Sequence, residues 1–319
     1  MKFIQQAYNG ENSWFSYALT IFLFFFGWQL IGIIPLVLTA FSYAENMDDF
    51  SRAALDNFTT LGIDANLYLV LMIFMFFCGL VFLLLGIKFI HKRKILTVFT
   101  SRTKLDWNRV LFAFSTWFIA GIIMFMISYL MAPEDYVWNF KLVPFVILVL
   151  ISFFLLPIQT SMEEVLFRGY LMQGFGTWFK KGIIALIITS VIFGLLHGSN
   201  PEVEKLGWIT MVFYIGTGLL LGVFALMDEG IELSLGFHAA NNILTAVLVT
   251  ANWAAFQTDA LFIDVSEPSV SWELFMPVLI LYPMVLFIFS KKYNWKNWKE
   301  KMFGTIRKPI ELDEDRFIA

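Results

Sequence analysis

The feature that most constrains this chain is a succession of eight long apolar runs, near 14 to 43, 67 to 90, 110 to 132, 141 to 160, 183 to 199, 206 to 227, 231 to 251 and 272 to 290. A hydrocarbon layer about 30 Å thick is crossed by roughly 20 apolar residues in helical form. In lipid, backbone N–H and C=O groups have to find partners within the protein, which leaves helices and closed barrels. The runs are longer than barrel strands and lack their alternation of apolar and polar residues, so helices are expected. With 59% of residues hydrophobic and only 15% charged, a soluble globular alternative drops out. The expected fold is an all-α, polytopic transmembrane helix bundle of about eight spans. No linker, low-complexity stretch or convincing repeat divides residues 1–319, so a single multi-pass domain is expected.

The net charge of −3 hides an asymmetry. Positive residues collect in alternate loops: HKRK at 91 to 94 with Arg102, Lys104 and Arg109, then Lys180 and Lys181, then the tail KKYNWKNWKEK. Basic loops stay on the cytoplasmic side, which places both termini there. The DEG turn at 228 to 230 is the exception, acidic where positive charge is expected. His91 belongs to the HKRK loop and is expected to be solvated. Residues 291–319 are expected to form a cytoplasmic tail, with Trp295 and Trp298 near the headgroups. The first run is too long for a secretory signal and lacks a small-residue cleavage pattern, so the N-terminus is expected to be retained. The lone cysteine, Cys78, rules out an intramolecular disulfide and a cysteine-based zinc cluster. No nucleic-acid partner is expected. A chain rich in Phe, Ile, Asn and Lys points to a bacterial plasma membrane.

A charge at the centre of a membrane helix costs about 3 kcal/mol on insertion scales, so charges within the runs need a reason. Lys88 and Lys141 sit at run ends, where long side chains reach the headgroups. Residues 161 to 170, SMEEVLFRGY, follow directly on the fourth run. Glu164 and Arg168 stand four apart with the acid N-terminal, the favourable orientation on a helix, so Arg168 is expected to hold Glu164. Glu163 lies about 140° around the helix from Arg168 and is expected to face a cavity, where it is suited to proton transfer. The competing reading is a charge cluster that ends a helix at the interface.

Two further clusters stand in later runs. In FGLLHG, Phe193 lies one turn before His197, and Gly194 and Gly198 form a small-residue pair that permits close helix approach. In GFHAANNIL, His238 and Asn242 share a face, with Asn241 beside them. A packing histidine and interhelical hydrogen bonding are the respective alternatives.

EExxxR, FxxxH and HxxxN therefore occur in this order, each in its own hydrophobic segment. In this the sequence resembles the CAAX protease and bacteriocin-processing (CPBP, or ABI) family of intramembrane endopeptidases, which includes the type II CAAX prenyl endopeptidases. The resemblance covers about residues 140–252, the expected catalytic core. It implies that Glu163, with His197, activates a water for attack on the scissile carbonyl. It further implies that His238 and Asn242 donate to the oxyanion and that Glu164, Arg168 and Phe193 support them. A zinc site on Glu163, His197 and His238 is the family's alternative; the metal-free version is preferred, because HExxH is absent and asparagine is a rare zinc ligand. The implied partners are the bilayer and a membrane-associated peptide or protein, prenylated or a bacteriocin leader. The rival readings are an immunity or regulatory scaffold that keeps the motifs and a proton-coupled transporter, although matched halves of the transporter kind are absent. Depth is a difficulty: Glu163 and His197 both lie about 25 Å of helix from the Lys180 turn. Either the helices project past the headgroups, or 161–180 bends at Gly169, Gly174 or Gly176 into the interface. A cavity open to the cytoplasmic leaflet is expected.

Overall fold

A computed structural model describes residues 2–254, 257–270 and 272–309, and over them the chain is an all-α bundle with one small sheet. Among the described residues six helices are long and apolar enough to cross a membrane: α1 (Trp14–Tyr43), α2 (Ala65–Ile90), α3 (Trp107–Met131), α4 (Leu142–Phe179), α5 (Gly182–Ser199) and α6 (Trp208–Asp228). Two shorter ones follow, α7 (Glu232–Val247) and α8 (Tyr282–Lys292), the latter entered through a π-helical turn at Pro277–Leu281. All eight apolar runs thus contain helix, but the last two helices are shorter than the runs. Helix α7 stops early because the chain turns into strand β2 (Val249–Thr250). It joins β1 (Tyr136–Trp138) and β3 (Phe262–Asp264) in the order β1-β3-β2, with Tyr136 opposite Asp264 and Val249 opposite Phe262.

Helix α4 organises the core. Its 38 residues would extend about 57 Å if regular. They are interrupted at Leu155, which has φ −108°, before Pro157 removes a backbone donor. A π-helical stretch over Val165–Leu171 follows, and Met172–Phe179 completes the helix. The stretch 161–179 runs on as helix, and most of its side chains are buried in protein. The glycines serve close approach. A Cβ on Gly169 would overlap the carbonyl oxygen of Val98, and one on Gly174 would meet the Tyr17 ring at 2.6 Å.

The basic loops gather at one end. Glu11 N donates to His91 O (2.8 Å), Ser101 N to Glu229 O (3.0 Å) and Ile306 N to Lys180 O (3.0 Å). Phe3 N donates to Glu229 Oε2 at 2.6 Å, so the N-terminal segment, three connections and the tail meet there. The acidic turn at 228 to 230 loses its anomaly in this setting. Asp228 pairs with Arg102 (3.0 Å) and Arg109 (2.6 Å), and Glu229 with Lys301 (3.0 Å). One expectation for this end is corrected. His91 is fully buried, its Nε2 2.7 Å from Tyr170 Oη and its Nδ1 2.6 Å from Glu11 O. Trp295 is buried against the bundle, donating to Asp228 Oδ1 at 3.1 Å, because the tail folds back over the α6–α7 turn. The last part of the expected tail, 310–319, lies outside the described residues.

Candidate active site

The acid pair of α4 is placed at the point where the helix widens, Glu164 being the last residue before the π-helical stretch. Single π turns occur often at functional sites, because the extra residue redirects side chains. Arg168 Nη1 donates to Glu164 Oε1 at 2.8 Å, with side-chain exposures of 1% and 0%, so the expected i,i+4 pair forms in full burial. The guanidinium also lies 4.2 Å from the centroid of the Phe193 ring, an attraction of cation to ring face that strengthens away from water.

The same carboxylate oxygen holds a histidine. His238, on α7, places Nδ1 2.8 Å from Glu164 Oε1 and Nε2 3.6 Å from Glu163 Oε2. A carboxylate only accepts, so Nδ1 of His238 donates to Glu164 and Nε2 is the nitrogen turned toward Glu163. Glu163 and Glu164 separate as expected, one bound to arginine and the other not. His238 bridges both, which sequence spacing did not anticipate.

Glu163 is further tied to its own helix. Gln159 Nε2 donates to Glu163 Oε1, and Gln159 Oε1 accepts from Asn242 Nδ2 at 2.9 Å. Asn242 Oδ1 accepts from Asn241 Nδ2 (3.2 Å), and Asn241 Oδ1 from Trp117 Nε1 (3.2 Å). Gln159, Asn242 and His238 are all at least 92% buried, their exposures being 6%, 8% and 6%. Oε2 of Glu163 and Oε2 of Glu164 are buried without a hydrogen-bond partner among the described residues.

His197 ends α5, where the helix tightens to a 3₁₀ turn over His197–Ser199. Its Nδ1 donates to Phe193 O at 2.8 Å, which leaves Nε2 as the acceptor on the neutral ring. The ring stacks on Tyr214 at 4.5 Å and 22°. Phe193 is the common wall, 4.7 Å from the His197 centroid and 6.1 Å from that of His238. Glu163, His238, Asn242, Glu164, Arg168 and Phe193 are thus brought together. His197 shares Phe193 with them, and no described hydrogen bond or ion pair joins it directly to Glu163. Gly194 makes the close contact read from its motif: a Cβ there would overlap Ile215, whereas at Gly198 it would meet Trp208 at 3.3 Å.

Three site residues escaped the sequence reading. Gln159 had a usable signal, since it lies four residues before Glu163 and so on its face. Trp117 is one of 11 tryptophans and Tyr214 one of 10 tyrosines, and neither has a spacing that marks it.

Nδ1 of each histidine is engaged by an oxygen, which leaves Nε2 as the nitrogen of each ring turned toward the site. Among the described residues no group of three His, Cys, Asp or Glu side chains stands close enough together, as arranged, to hold a metal ion.

Residues 142–244 match the Rce1-like family of type II CAAX prenyl endopeptidases, and all three motifs fall inside that segment. An uncharacterized protein of Bacillus subtilis (strain 168), YyaK, is 32% identical over 197 residues, which are 61% of this chain and 66% of that protein. The match therefore spans just under two thirds of the relative's length. No solved structure matches the chain.

Proposed function

We propose that this multi-pass membrane protein, whose residues 142–244 are an Rce1-like domain of the CAAX-protease type, is an intramembrane endopeptidase of the CPBP kind. Its catalytic core is residues 140–252. The observation that carries this reading is the convergence of two carboxylates on one imidazole across α4 and α7 in a buried setting, His238 lying 2.8 Å from Glu164 and 3.6 Å from Glu163. Such groups are costly to place in a membrane unless they do chemistry there.

In this mechanism a water between Glu163 and His197 attacks the scissile carbonyl. Glu163 takes its proton, and the free Nε2 of His197 accepts the other hydrogen bond and fixes the water's direction. Asn242 Nδ2 has a second N–H beyond the one given to Gln159, and this donates to the oxyanion; such a donor is typically worth about 3 kcal/mol. His238 becomes a second donor when Glu163 shares its new proton with Nε2, 3.6 Å away. The proton returns through Glu163 to the leaving nitrogen as the C–N bond breaks. Glu164 and Arg168 hold His238 in the tautomer this requires. No metal takes part.

The basic end faces the cytoplasm of a bacterial plasma membrane, and the substrate is a membrane-associated or lipidated peptide or protein. The test is purified protein in liposomes with a library of prenylated and leader-type peptides, comparing wild type with Glu163→Ala, His197→Ala and His238→Ala. Cleavage lost in all three is expected. Cleavage indifferent to Glu163→Ala overturns the mechanism, and reversible loss on chelation with recovery on zinc overturns its metal-free form. Alanine variants that fully complement the cellular phenotype would instead identify a scaffold.

A further inference from the structure

The hydrogen bonds that end on Glu163 have a direction. Trp117 Nε1 can only donate, so the oxygen of the Asn241 amide must face it, at 3.2 Å. That turns Asn241 Nδ2 toward Asn242 Oδ1 (3.2 Å), which turns Asn242 Nδ2 toward Gln159 Oε1 (2.9 Å), which leaves Gln159 Nε2 to donate to Glu163 Oε1. A carboxylate can only accept, so both ends of the chain demand the same polarity. Each amide flip is thereby fixed by its neighbour rather than chosen freely. Three head-to-tail amide dipoles point their positive ends at Glu163, in surroundings where such chains strengthen one another.

We propose that Trp117, Asn241 and Gln159 are positioning residues that, through Asn242, form a one-way relay from α3 across α7 to α4, orienting the Asn242 amide and holding Glu163 as the ionised base. The proposal rests on the reading of Glu163 as that base. Trp117 earns its place by geometry: its ring stacks on Phe237 of α7 at 4.2 Å, so the indole N–H is locked in its aim. The charged or titratable groups around Glu163 are Glu164 and Arg168 on α4, His238 on α7 and, beyond the shared Phe193 ring, His197 on α5.

The relay is testable without a substrate. Dicyclohexylcarbodiimide enters membranes and adds to carboxyl groups that carry a proton, so its rate of labelling at Glu163, read by peptide mass spectrometry at one fixed pH, reports how well the carboxylate is held ionised. Gln159→Met removes the last donor, and labelling is expected to rise about tenfold, the worth of one charge-assisted hydrogen bond. Trp117→Phe keeps the stack on Phe237, removes only the N–H and is remote from the reagent, and it is expected to raise labelling in the same direction by less. Glu164, bound to Arg168 and His238, is the internal reference and stays constant. Wild-type labelling at Glu163 in both variants overturns the relay, and if Gln159→Met does not fold, Trp117→Phe decides alone. Loss of cleavage in Glu163→Ala is a separate measurement, so the relay and the peptidase reading fail independently.

Discussion

His238 and Glu164 are joined Nδ1 to Oε1 at 2.8 Å across two helices, and that same oxygen receives Arg168 Nη1 at 2.8 Å. One carboxylate oxygen therefore neutralises a buried guanidinium and sets the tautomer of the site's most buried imidazole. Glu164 is thereby committed to Arg168 and His238, and Glu163 is not paired with the arginine. Helix geometry separates the two acids, since neighbours on a helix diverge by about 100°.

Arg168→Met is expected to destabilise the protein by about 3–5 kcal/mol, because it leaves Glu164 charged and uncompensated in full burial. Combining it with Glu164→Gln is expected to recover much of that loss, since the neutral amide needs no counter-charge. Chemical unfolding in mixed micelles of both single variants and the double variant measures the coupling. Additive losses would show that the pair does not interact as described.

Much of this pair was legible in the sequence, because i,i+4 spacing within one helix is a local fact. The same holds for the apolar runs and for the shared face of His238 and Asn242. What could not be read were the partners across helices. Asn242 sits on Gln159, and His197 stacks on Tyr214, and these depend on how α4, α6 and α7 cross. The solvated role expected of His91 failed for a related reason. The HKRK loop reads as uniformly basic, but its alternate residues His91 and Arg93 turn inward while Lys92 and Lys94 face out.

His91 makes stability at the basic end pH-dependent. Burial, aided by the nearby Arg93, pushes its imidazole below the ordinary value, against a smaller opposing pull from Glu11. Glu11 O accepts from Nδ1, so Nε2 is left to accept from the Tyr170 hydroxyl, and a second proton on the ring reverses that bond. The folded state thus refuses a proton that the unfolded chain takes up, so stability is intact above about pH 6.5 and declines as pH falls through that value. His91→Gln can both donate to Glu11 O and accept from Tyr170, and it is expected to flatten the dependence of melting temperature on pH. An unchanged slope in that variant would assign the effect elsewhere.

Asp228 binds the tail to the bundle through Arg102, Arg109 and the Trp295 indole. Asp228→Asn keeps the shape and removes the charge. The two arginines retain 26% and 19% exposure, so water offsets part of the penalty, and a loss of about 1–3 kcal/mol is expected rather than that of a fully buried pair. The local readout is limited proteolysis: cleavage between residues 293 and 309 is expected to accelerate, with the rest of the chain protected as before. Equal protection of the tail in the variant would remove Asp228 from this role.

A tight contact between α3 and α7 at Gly236, two residues before His238, separates packing from catalysis. A Cβ on Gly236 would overlap the Val110 carbonyl oxygen and stand 2.9 Å from Phe114 N, both backbone atoms that cannot rotate away. On the other side of the same interface, a Cβ on Gly121 would meet only the end of the Leu244 side chain, which can change rotamer. Gly236→Ala is therefore expected to cost about 1–3 kcal/mol as α7 shifts from α3, and Gly121→Ala clearly less. The shift would also lengthen the 3.2 Å bond from Trp117 to Asn241, and it moves a helix that carries His238 two residues further on. Cleavage by Gly236→Ala is expected to fall further than its loss of folded protein accounts for, measured per folded molecule at a temperature where both variants remain native. Equal specific activity of the two variants would mean that the α3–α7 contact holds the bundle together without aligning the site.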